Sequence, residues 1–574
     1  MKNIKQEIAE ILSAAVPQLG TEQILGMIEI PADNANGDYA FPCFRLAKEL
    51  HKAPPLIAAD VASQIGGNAL FEKVQNVNAY VNMFIDKKAF AEITLDAVLE
   101  SKDAFGGSDI GNGKTVIVEY SSPNIAKPFH IGHIRTTVIG NSLYKIFDFL
   151  GYNVVRMNHL GDYGTQFGKM IVAYRLWGNE EDVRRDPIKT LVSYYIRFHQ
   201  EAEKDPSLED KAREAFYNLE HGAEAETALW QWFRTESLKE FKRVYDIMDI
   251  DFDSFLGESF YTDKMPAVIE ELKEKGLLVP SQGAEIVDLE PYGLTPAVIR
   301  KSDGSSLYIT RDLASLLYRK KTWDFDKCIY VVGAPQELHF KQLFKIVELM
   351  GYDWAKDSCV HVPFGVVNFD GAKLSTREGN VVYLEDVLNA AVEKTREIVI
   401  EKGVNTDDVD ETSKVVGVGA VLFQELSAGR IKDYSFTWDK VLNFDGETGP
   451  YVQYTHARAA SVLRNAGADP AQLSAESLKN ADLGFVLGES AYELIKLIYR
   501  FPEAVLKAAD EYEPSDVTRH IVHVAQAFNK FYHDEHILVE NEAERNAKLL
   551  LTFAAKQTIK NGLALLGVKA PEKM

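Results

Sequence analysis

Two strand–helix–strand patterns, far apart along the chain, constrain the fold more than any other feature of the sequence. The first covers residues 115–157 and the second covers residues 328–369, where 362–369 is expected to form one strand. Each pattern is most simply a right-handed parallel crossover. Two such units predict an α/β protein with a doubly wound, Rossmann-like domain, whose ligand lies beyond the carboxyl ends of the strands.

The spacing of these units also predicts the domain organisation. A chain of 574 residues is too long for one hydrophobic core, and the roughly 150 residues between the two units are too many for a loop. Glycine-rich turns near 106–113 end a block that mixes helices with short strands. We expect an N-terminal α+β domain over 1–110, a doubly wound domain over 111–440 with an insertion at about 175–300, and an all-α bundle over 441–574.

Composition excludes some classes of protein. The net charge of −22 argues against a protein that coats nucleic acid nonspecifically, although a local basic track could still bind one. Cys43, Cys328 and Cys359 form no Cys-x-x-Cys pair, which fits a reducing compartment and predicts no zinc site. The chain shows no signal-peptide pattern and no membrane-length apolar segment, so we expect a cytoplasmic protein.

A phosphate site is predicted at the tetrad His130-Ile131-Gly132-His133, which follows a buried strand and begins the first crossover helix. Free backbone N–H groups and the positive end of the helix dipole meet at such a place, so anions bind there. Gly132 lets a nucleotide lie close to the backbone, and the imidazoles of His130 and His133 can both donate to phosphate oxygens. The tetrad by itself fits any nucleotidyl-transferring enzyme of this fold.

The residues around the tetrad resemble the arginyl-tRNA synthetase family of class I aminoacyl-tRNA synthetases. The whole run from Val118 to His133, Val-Glu-Tyr-Ser-Ser-Pro-Asn-Ile-Ala-Lys-Pro-Phe-His-Ile-Gly-His, carries this resemblance. Residues 371–380 resemble the family's mobile lysine loop, with Thr376 in place of its second lysine. The resemblance implies catalytic roles for His130, His133, Lys373 and Lys127, where Lys127 compensates for Thr376. It implies an ATP site formed by His130, Gly132, His133, Lys373 and Ser375.

The implied reaction explains why these residue types are needed. The carboxylate of L-arginine attacks the α-phosphorus of ATP, pyrophosphate leaves, and the arginyl group then moves to the 3′-terminal ribose of tRNA(Arg). Charge builds on phosphate oxygens in the first step, so positioned cations and N–H donors lower the barrier. We expect Mg²⁺ to be held mainly by the ATP phosphates and water, with no metal site on the protein.

A site for arginine needs carboxylates, because the guanidinium is planar, permanently charged and rich in donors. The run Tyr308-Ile309-Thr310-Arg311-Asp312 resembles the family's Tyr-x-Thr-Arg-Asp motif. On a helix, Tyr308 and Asp312 share one face, and Glu119 ends the first predicted strand. The resemblance implies that arginine is bound by Glu119, Ser121, Asn124, Tyr308, Asp312 and Gln336.

The terminal parts resemble the tRNA-binding parts of the family. Residues 1–110 resemble its added N-terminal domain, which touches the tRNA elbow, and residues 444–458 resemble its helical anticodon-binding domain. Aromatic side chains there could stack on unpaired bases while arginines meet phosphate, or they could simply pack the bundle. Tyr532 is expected in an apolar bundle face. The resemblance implies that a monomer contacts tRNA through Tyr451, Tyr454, Arg458 and Arg464.

Three other functions stay open from the sequence. A class I synthetase for another amino acid would keep the nucleotide motifs but not the combination of Tyr308, Asp312 and Glu119. A catalytically inactive paralogue that only binds tRNA would not need His130 and His133. A small-molecule nucleotidyltransferase would leave both flanking domains without a role.

Overall fold

The N-terminal part combines helices with a three-stranded antiparallel sheet. The structure, a computed structural model, describes residues 4–31, 33–301, 308–369, 382–401, 403 and 406–574. The first elements are α1 (Ile4–Ala15), α2 (Thr21–Met27), β1 (Tyr39–Pro42), α3 (Ala47–Leu50), α4 (Pro54–Ile65), β2 (Phe71–Val77), β3 (Tyr80–Ile85) and α5 (Lys87–Ser101). The sheet has the order β1-β3-β2. Helix α5 packs against the C-terminal helices and so joins the two ends of the chain.

The first predicted crossover is present. It consists of β4 (Thr115–Glu119), α6 (Ile134–Phe149) and β5 (Asn153–Met157), and β4 pairs with β5 in parallel. Helix α6 begins three residues later than the apolar spacing suggests, because residues 131–133 form a 3₁₀ turn. The tetrad therefore forms the turn that leads into the helix.

The long segment after β5 carries its own structure, as its length requires. It contains α7 (Thr165–Trp177), α8 (Glu180–Arg185), α9 (Pro187–Ala202), α10 (Ser207–Glu220), α11 (Glu224–Met248), α12 (Met265–Glu274), β6 (Leu278–Ser281), β7 (Ala284–Val287), β8 (Ala297–Arg300) and α13 (Tyr308–Trp323). The three strands form a separate antiparallel sheet in the order β6-β7-β8.

The second crossover completes the central sheet. It contains β9 (Lys327–Gly333), α14 (Glu337–Leu349), α15 (Ala355–Ser358) and β10 (Cys359–Phe364). Parallel pairing gives the order β10-β9-β4-β5. Along β4, Val116 and Val118 pack in the core that includes α6, whereas Ile117 packs in the core that includes α12, α13 and α14. Helices therefore cover both faces of the sheet, and the predicted doubly wound Rossmann-like fold is confirmed.

The expectation of one strand over 362–369 is wrong. The chain leaves the central sheet after Phe364 and enters a second, two-stranded sheet. The next elements are β11 (Val367–Phe369), α16 (Leu384–Glu401), α17 (Val409–Ser427) and β12 (Tyr434–Phe436), and β11 pairs with β12 in parallel. The break falls at Gly365, whose N–H donates to the carbonyl of Arg430 rather than to a neighbouring strand.

The C-terminal part is all α-helical, as predicted. It contains α18 (Trp438–Val441), α19 (Gly449–Asn465), α20 (Ala475–Lys479), α21 (Glu489–Tyr499), α22 (Phe501–Asp510), α23 (Ser515–Asp534) and α24 (Glu542–Leu565). Helix α24 packs against α19, α21 and α23, and it also contacts α6. The bundle therefore rests directly on the helix that begins at the tetrad.

Candidate active site

The site lies at the point where the central sheet reverses its winding. Strands β4 and β9 are neighbours, and their crossovers run in opposite directions to β5 and β10. A crevice forms beyond the carboxyl ends of two such strands. Glu119 ends β4 and Gly333 ends β9, so the candidate residues that follow each strand meet at one edge of the sheet.

The two histidines of the tetrad are fixed by the turn they form. Nδ1 of His130 accepts from the backbone N–H of Gly132 at 3.1 Å, and Nδ1 of His133 accepts from the backbone N–H of His130 at 3.2 Å. The ring centroids are 4.0 Å apart. A Cβ at position 132 would lie 2.8 Å from Cε1 of His130, so glycine is required there to keep this ring in place.

The protonation state of these histidines follows from their surroundings. Burial lowers the pKa of His130, and burial together with the neighbouring His130 lowers the pKa of His133 to about 3. Both rings are therefore neutral near pH 7. The hydrogen bond that Nδ1 of His130 accepts places the proton of that ring on Nε2, whereas Nδ1 of His133 lies 3.2 Å from both the N–H and the carbonyl of His130 and fits either tautomer. The turn thus presents two neutral imidazoles beside the N-terminus of α6, an arrangement suited to phosphate oxygens.

The chain that follows the predicted lysine loop returns to the tetrad. The N–H of Ile131 donates to the carbonyl of Val382, and the N–H of Leu384 donates to the carbonyl of Phe129. Lys373 and Ser375, predicted to bind ATP, and Thr376 lie outside the described residues. The described chain thus resumes, after 370–381, directly beside the predicted phosphate site.

The loop between β4 and the tetrad has an unusual backbone. Ser121, Ser122 and Ala126 all have positive φ, at 70°, 46° and 56°, a conformation uncommon in residues other than glycine. The hydroxyl of Ser121 is buried and lies 2.8 Å from the hydroxyls of both Tyr245 and Thr137. Ser121 therefore belongs to a polar network that holds this loop.

Asn124 and Lys127 lie on the exposed side of the same loop. Both residues are exposed. Asn124 forms a parallel bridge with Gly161, which follows β5. The loop thus brings an amide and a lysine to the sheet edge between Glu119 and the tetrad.

Glu119 has a counterion within the chain. Its Oε2 lies 2.5 Å from Nη2 of Arg319, whose side chain is fully buried. The same guanidinium donates to Nδ1 of His159 at 3.3 Å and lies over the ring of Tyr330. Burial opposes the charge of Arg319, but Glu119 and its other neighbours outweigh burial and raise the pKa of Arg319 well above its usual value. Arg319 and His159 were not among the predicted site residues, and their positions carry no local sequence pattern.

Asp312 is also paired. Oδ2 of Asp312 accepts from Nε2 of His339 at 2.6 Å, and its side chain is 30% exposed. Burial acts to raise the pKa of Asp312, but the hydrogen bond from His339 and nearby cationic groups outweigh it and lower that pKa. Tyr308 begins the same helix, and its side chain is 68% exposed. Gln336 is exposed where the chain leaves β9 for α14.

A third acidic group near Asp312 escaped the sequence prediction. Oε1 of Glu258 lies 3.1 Å from Nη1 of Arg311, and this guanidinium also lies near the rings of Tyr163 and Tyr308. Burial raises the pKa of Glu258, with Arg311 opposing it. Glu258 lies in the segment between α11 and α12, which has no recognisable motif, so only the fold reveals its position.

The predicted tRNA residues of the bundle form an aromatic and cationic patch. The guanidinium of Arg458 lies 4.9 Å from the ring of Tyr454 and 5.4 Å from that of Tyr532. Tyr532 is 43% exposed, so it lies at the surface rather than inside the bundle as the helical spacing suggested. Tyr451 is held by Asn529, whose amide donates to its hydroxyl. Arg464 donates to the carbonyl of Glu572 near the C-terminus.

Within the described residues, no group of three or more His, Cys, Asp or Glu side chains is placed to hold a metal ion. None of the helices in the described part of the chain combines the length and apolar character needed to cross a bilayer.

Comparison with known families identifies the class of protein. A family model described as "tRNA synthetases class I (R), catalytic domain" matches residues 94–438. A "DALR anticodon binding domain" model matches residues 452–574, and an "Arginyl tRNA synthetase N terminal domain" model matches residues 2–85. With the doubly wound fold and the histidine tetrad, these matches make the chain a class I aminoacyl-tRNA synthetase.

Individual relatives identify the family within this class. Arginine–tRNA ligases of Clostridioides difficile and Halothermothrix orenii are 56% and 54% identical to the chain over 574 residues, with full coverage of both sequences. The crystal structure of arginyl-tRNA synthetase from Plasmodium falciparum aligns over all of both chains, with a TM-score of 0.79 and 26% identity. The chain belongs to the arginyl-tRNA synthetase family.

Proposed function

We propose that the chain activates L-arginine with ATP and transfers it to the 3′-terminal ribose of tRNA(Arg). The observation that carries this proposal is that a group of hydrogen-bond donors and a group of carboxylates lie at the same edge of the central sheet. Neutral imidazole donors lie at the N-terminus of α6, and the carboxylates of Glu119 and Asp312 lie at the ends of β4 and on α13. Donors suit the triphosphate, and carboxylates suit a guanidinium.

The first step is driven by position and by electrostatic stabilisation. Nε2–H of His130 and His133 donates to the triphosphate as the arginine carboxylate attacks the α-phosphorus and the bond to pyrophosphate breaks. Lys127 and Lys373 neutralise the charge that develops on the α-phosphate and the leaving group, and Gly132 and Ser375 complete the ATP site. No covalent enzyme intermediate is needed, because both reactants are held in place.

The amino acid is oriented by its two ends. Asp312, Tyr308 and Glu119 receive the guanidinium, and Ser121, Asn124 and Gln336 hold or support the α-amino and carboxylate end. Neither the ammonium of lysine nor the neutral group of citrulline offers the planar, charged set of donors of a guanidinium, so discrimination needs no separate editing site.

In the second step, the arginyl group moves to a tRNA that contacts both the N-terminal domain and the C-terminal bundle. The patch of Tyr454, Arg458 and Tyr532 offers stacking surfaces and a cation for unpaired anticodon bases. Tyr451 adjoins the patch through Asn529, and Arg464 contacts the tRNA separately, from the C-terminal end of α19. The N-terminal domain contacts the tRNA elbow. We assign the domains to 1–110, 111–440 and 441–574, and we propose a cytoplasmic monomer. We propose that Mg²⁺ is held mainly by the ATP phosphates and water.

Pyrophosphate exchange with a panel of amino acids tests the proposal. We expect exchange with arginine and not with lysine, citrulline or glutamine, measured with and without tRNA(Arg). Charging of purified tRNA(Arg) with labelled arginine tests the second step. Exchange with another amino acid in preference to arginine contradicts the substrate assignment, and the absence of all exchange and charging contradicts the enzymatic one.

A further inference from the structure

The turn between α17 and β12, residues 429–434, lies where three parts of the molecule meet. Its first contact is with the tetrad helix. Nη1 of Arg135 donates to the carbonyl of Lys432 at 2.8 Å, and Nη2 donates to the carbonyls of Gly429 and Arg430, both at 3.1 Å. Arg135 is fully buried and follows His133 by two residues. The position of the turn is therefore tied to the first turn of α6.

The second contact of the turn is with the helical bundle. Nε of Arg430 donates to the carbonyl of Tyr512 at 3.1 Å, and its backbone N–H donates to the carboxylate of Glu513 at 3.2 Å. Tyr512 and Glu513 lie between α22 and α23. The same guanidinium donates from Nη1 to the carbonyl of Pro363 at 2.8 Å, so Arg430 connects the bundle to the end of β10.

The third contact is with the break between β10 and β11. The N–H of Val366 donates to Oδ1 of Asp433 at 2.6 Å, and the N–H of Gly365 donates to the carbonyl of Arg430 at 2.9 Å. A Cβ at position 365 would lie 2.6 Å from both the carbonyl oxygen of Ile431 and Oδ1 of Asp433. Only glycine allows the turn to approach the strand this closely, so the two move together while these hydrogen bonds last.

Helix α23 extends from this turn to the aromatic patch. Near its start, Thr518 donates to the carbonyl of Leu426, at the end of α17. Near its other end, the amide of Asn529 donates to the hydroxyl of Tyr451, and Tyr532 lies beside Arg458. The 18 residues from Ser515 to Tyr532 span about 25 Å. A regular helix therefore joins the surface proposed to meet the anticodon to the turn that contacts α6.

Lysine could not replace either arginine in these contacts. A planar guanidinium directs several donors at fixed angles, whereas an ammonium on a flexible stem cannot reach the same set of carbonyls. Loss of the fork leaves buried carbonyl oxygens without donors, and the turn is then free to move relative to α6 or to the bundle.

We propose that Arg135 and Arg430 are positioning residues, through which the turn 429–434 couples the anticodon-facing surface of the bundle to the ATP-binding tetrad. The inference rests on the proposed function and adds a route by which RNA bound at one end changes catalysis at the other. Such a coupling requires a connected element whose position both sites influence. Arg135 acts on the tetrad side of the turn and Arg430 on the bundle side.

The test compares two RNA substrates. One is full-length tRNA(Arg) and the other is an acceptor-stem minihelix that lacks the anticodon arm. For the unaltered protein we expect a higher kcat for charging with the full tRNA. Arg430→Lys is expected to lower the ratio of the two kcat values at least fivefold while leaving minihelix charging unchanged. Arg135→Lys is expected to raise the KM for ATP with both RNAs, because it releases the tetrad helix itself.

A matched control is available within the bundle. Arg545 also donates to main-chain carbonyls, those of Val539 and Glu540, but none of these contacts involves the turn. Arg545→Lys is expected to keep the kcat ratio of the unaltered protein. Thermal unfolding of each variant checks folding, and if Arg135→Lys does not fold, Arg430→Lys still decides the matter.

Three results would overturn the coupling. They are an equal fall in kcat on both RNAs in Arg430→Lys, a kcat ratio that this variant retains, and a kcat ratio of one in the unaltered protein. Each of these leaves arginine activation intact, so it contradicts the coupling alone. Absence of arginine-dependent exchange in the unaltered protein would instead contradict the proposed function.

Discussion

The candidate site has a proposed ATP end, at His130 and His133, and a proposed arginine end, at Glu119 and Asp312. The side chains of the two ends are held in place by different interactions. At the ATP end, main-chain N–H groups of the tetrad itself orient two neutral imidazoles. At the arginine end, each carboxylate already has a partner from the chain, Arg319 for Glu119 and His339 for Asp312. Incoming arginine must therefore share or displace these partners. Pairing of this kind reduces the cost of leaving these carboxylates without a bound cation.

The largest expected effect comes from removing the half-exposed carboxylate of the arginine end. Asp312→Ala deletes the proposed partner of the substrate guanidinium, and we expect kcat/KM for arginine to fall by about 10⁴ in pyrophosphate exchange while the fold is retained. Asp324→Ala, at a side chain that is 91% exposed, serves as the control and should behave like the unaltered protein. Unchanged arginine affinity of Asp312→Ala in calorimetry would remove Asp312 from the site.

The internal counterion of the arginine end is the next test. Arg319→Met leaves Glu119 buried without its cation, and we expect the free energy of unfolding to fall by about 3–5 kcal/mol in urea titrations. Adding Glu119→Gln to that variant removes the unpaired charge and should recover part of the loss. Strictly additive losses in the double variant would show that the two side chains do not compensate each other.

Deleting one histidine side chain at the ATP end is expected to reduce activity less than Asp312→Ala does, since the second histidine of the tetrad remains. His133→Ala removes one Nε2–H donor, and we expect kcat for exchange to fall by about 10²–10³ with a smaller change in the KM for ATP. His533→Ala, at a side chain that is 89% exposed, is the matched control. A change confined to the KM for ATP would mean that His133 binds ATP without stabilising the transition state.

The carboxylate of Glu425, near Arg135 on α6, differs from those of Glu119 and Asp312 because, in the described part of the chain, no hydrogen-bonded cation neutralises it. Both oxygens of Glu425 are buried and find no hydrogen-bond partner among the described residues. Burial raises the pKa of Glu425 to about 8, with Arg135 opposing it. The folded protein therefore keeps a proton that the unfolded chain loses near pH 4.5, so this residue's contribution to stability is lost as pH rises from about 4.5 to about 8.

Glu425→Gln should remove that pH dependence. Between pH 5 and pH 7, we expect the free energy of unfolding of the variant to gain about 2 kcal/mol relative to the unaltered protein. Denaturant titrations at several pH values measure the difference. Parallel pH profiles for the two proteins would show that Glu425 is ionised throughout this range, paired with Arg135.

The predictable part of the site was the part encoded locally. A strand, a loop and an amphipathic helix in succession identify the position of His130 and His133, and a spacing of four places Tyr308 and Asp312 on one helix. The partner of Glu119 could not be found in this way, because Arg319 is 200 residues distant and a buried arginine leaves no periodic pattern.

The fold shows the same limit. The crossovers follow from apolar periodicity, but the break at Gly365 depends on a turn about 65 residues later in the chain. Tyr532 fits an apolar helical stripe, yet its ring is 43% exposed and lies beside Arg458 of α19. Such outcomes depend on which elements become neighbours, and a single sequence does not specify this.

Helix α13 fixes the relative positions of Asp312 and Arg319 at the arginine end. Asp312 and Arg319 are two turns apart on this helix, so both face the sheet edge. Inserting one residue between them would rotate Arg319 by about 100° and separate it from Glu119. Gln282 and Gly283 form an exposed two-residue turn between β6 and β7, and an insertion there would leave the register of α13 unchanged. Length variation among proteins built on this plan therefore belongs in that hairpin and not in α13, where the number of residues itself determines which charges meet.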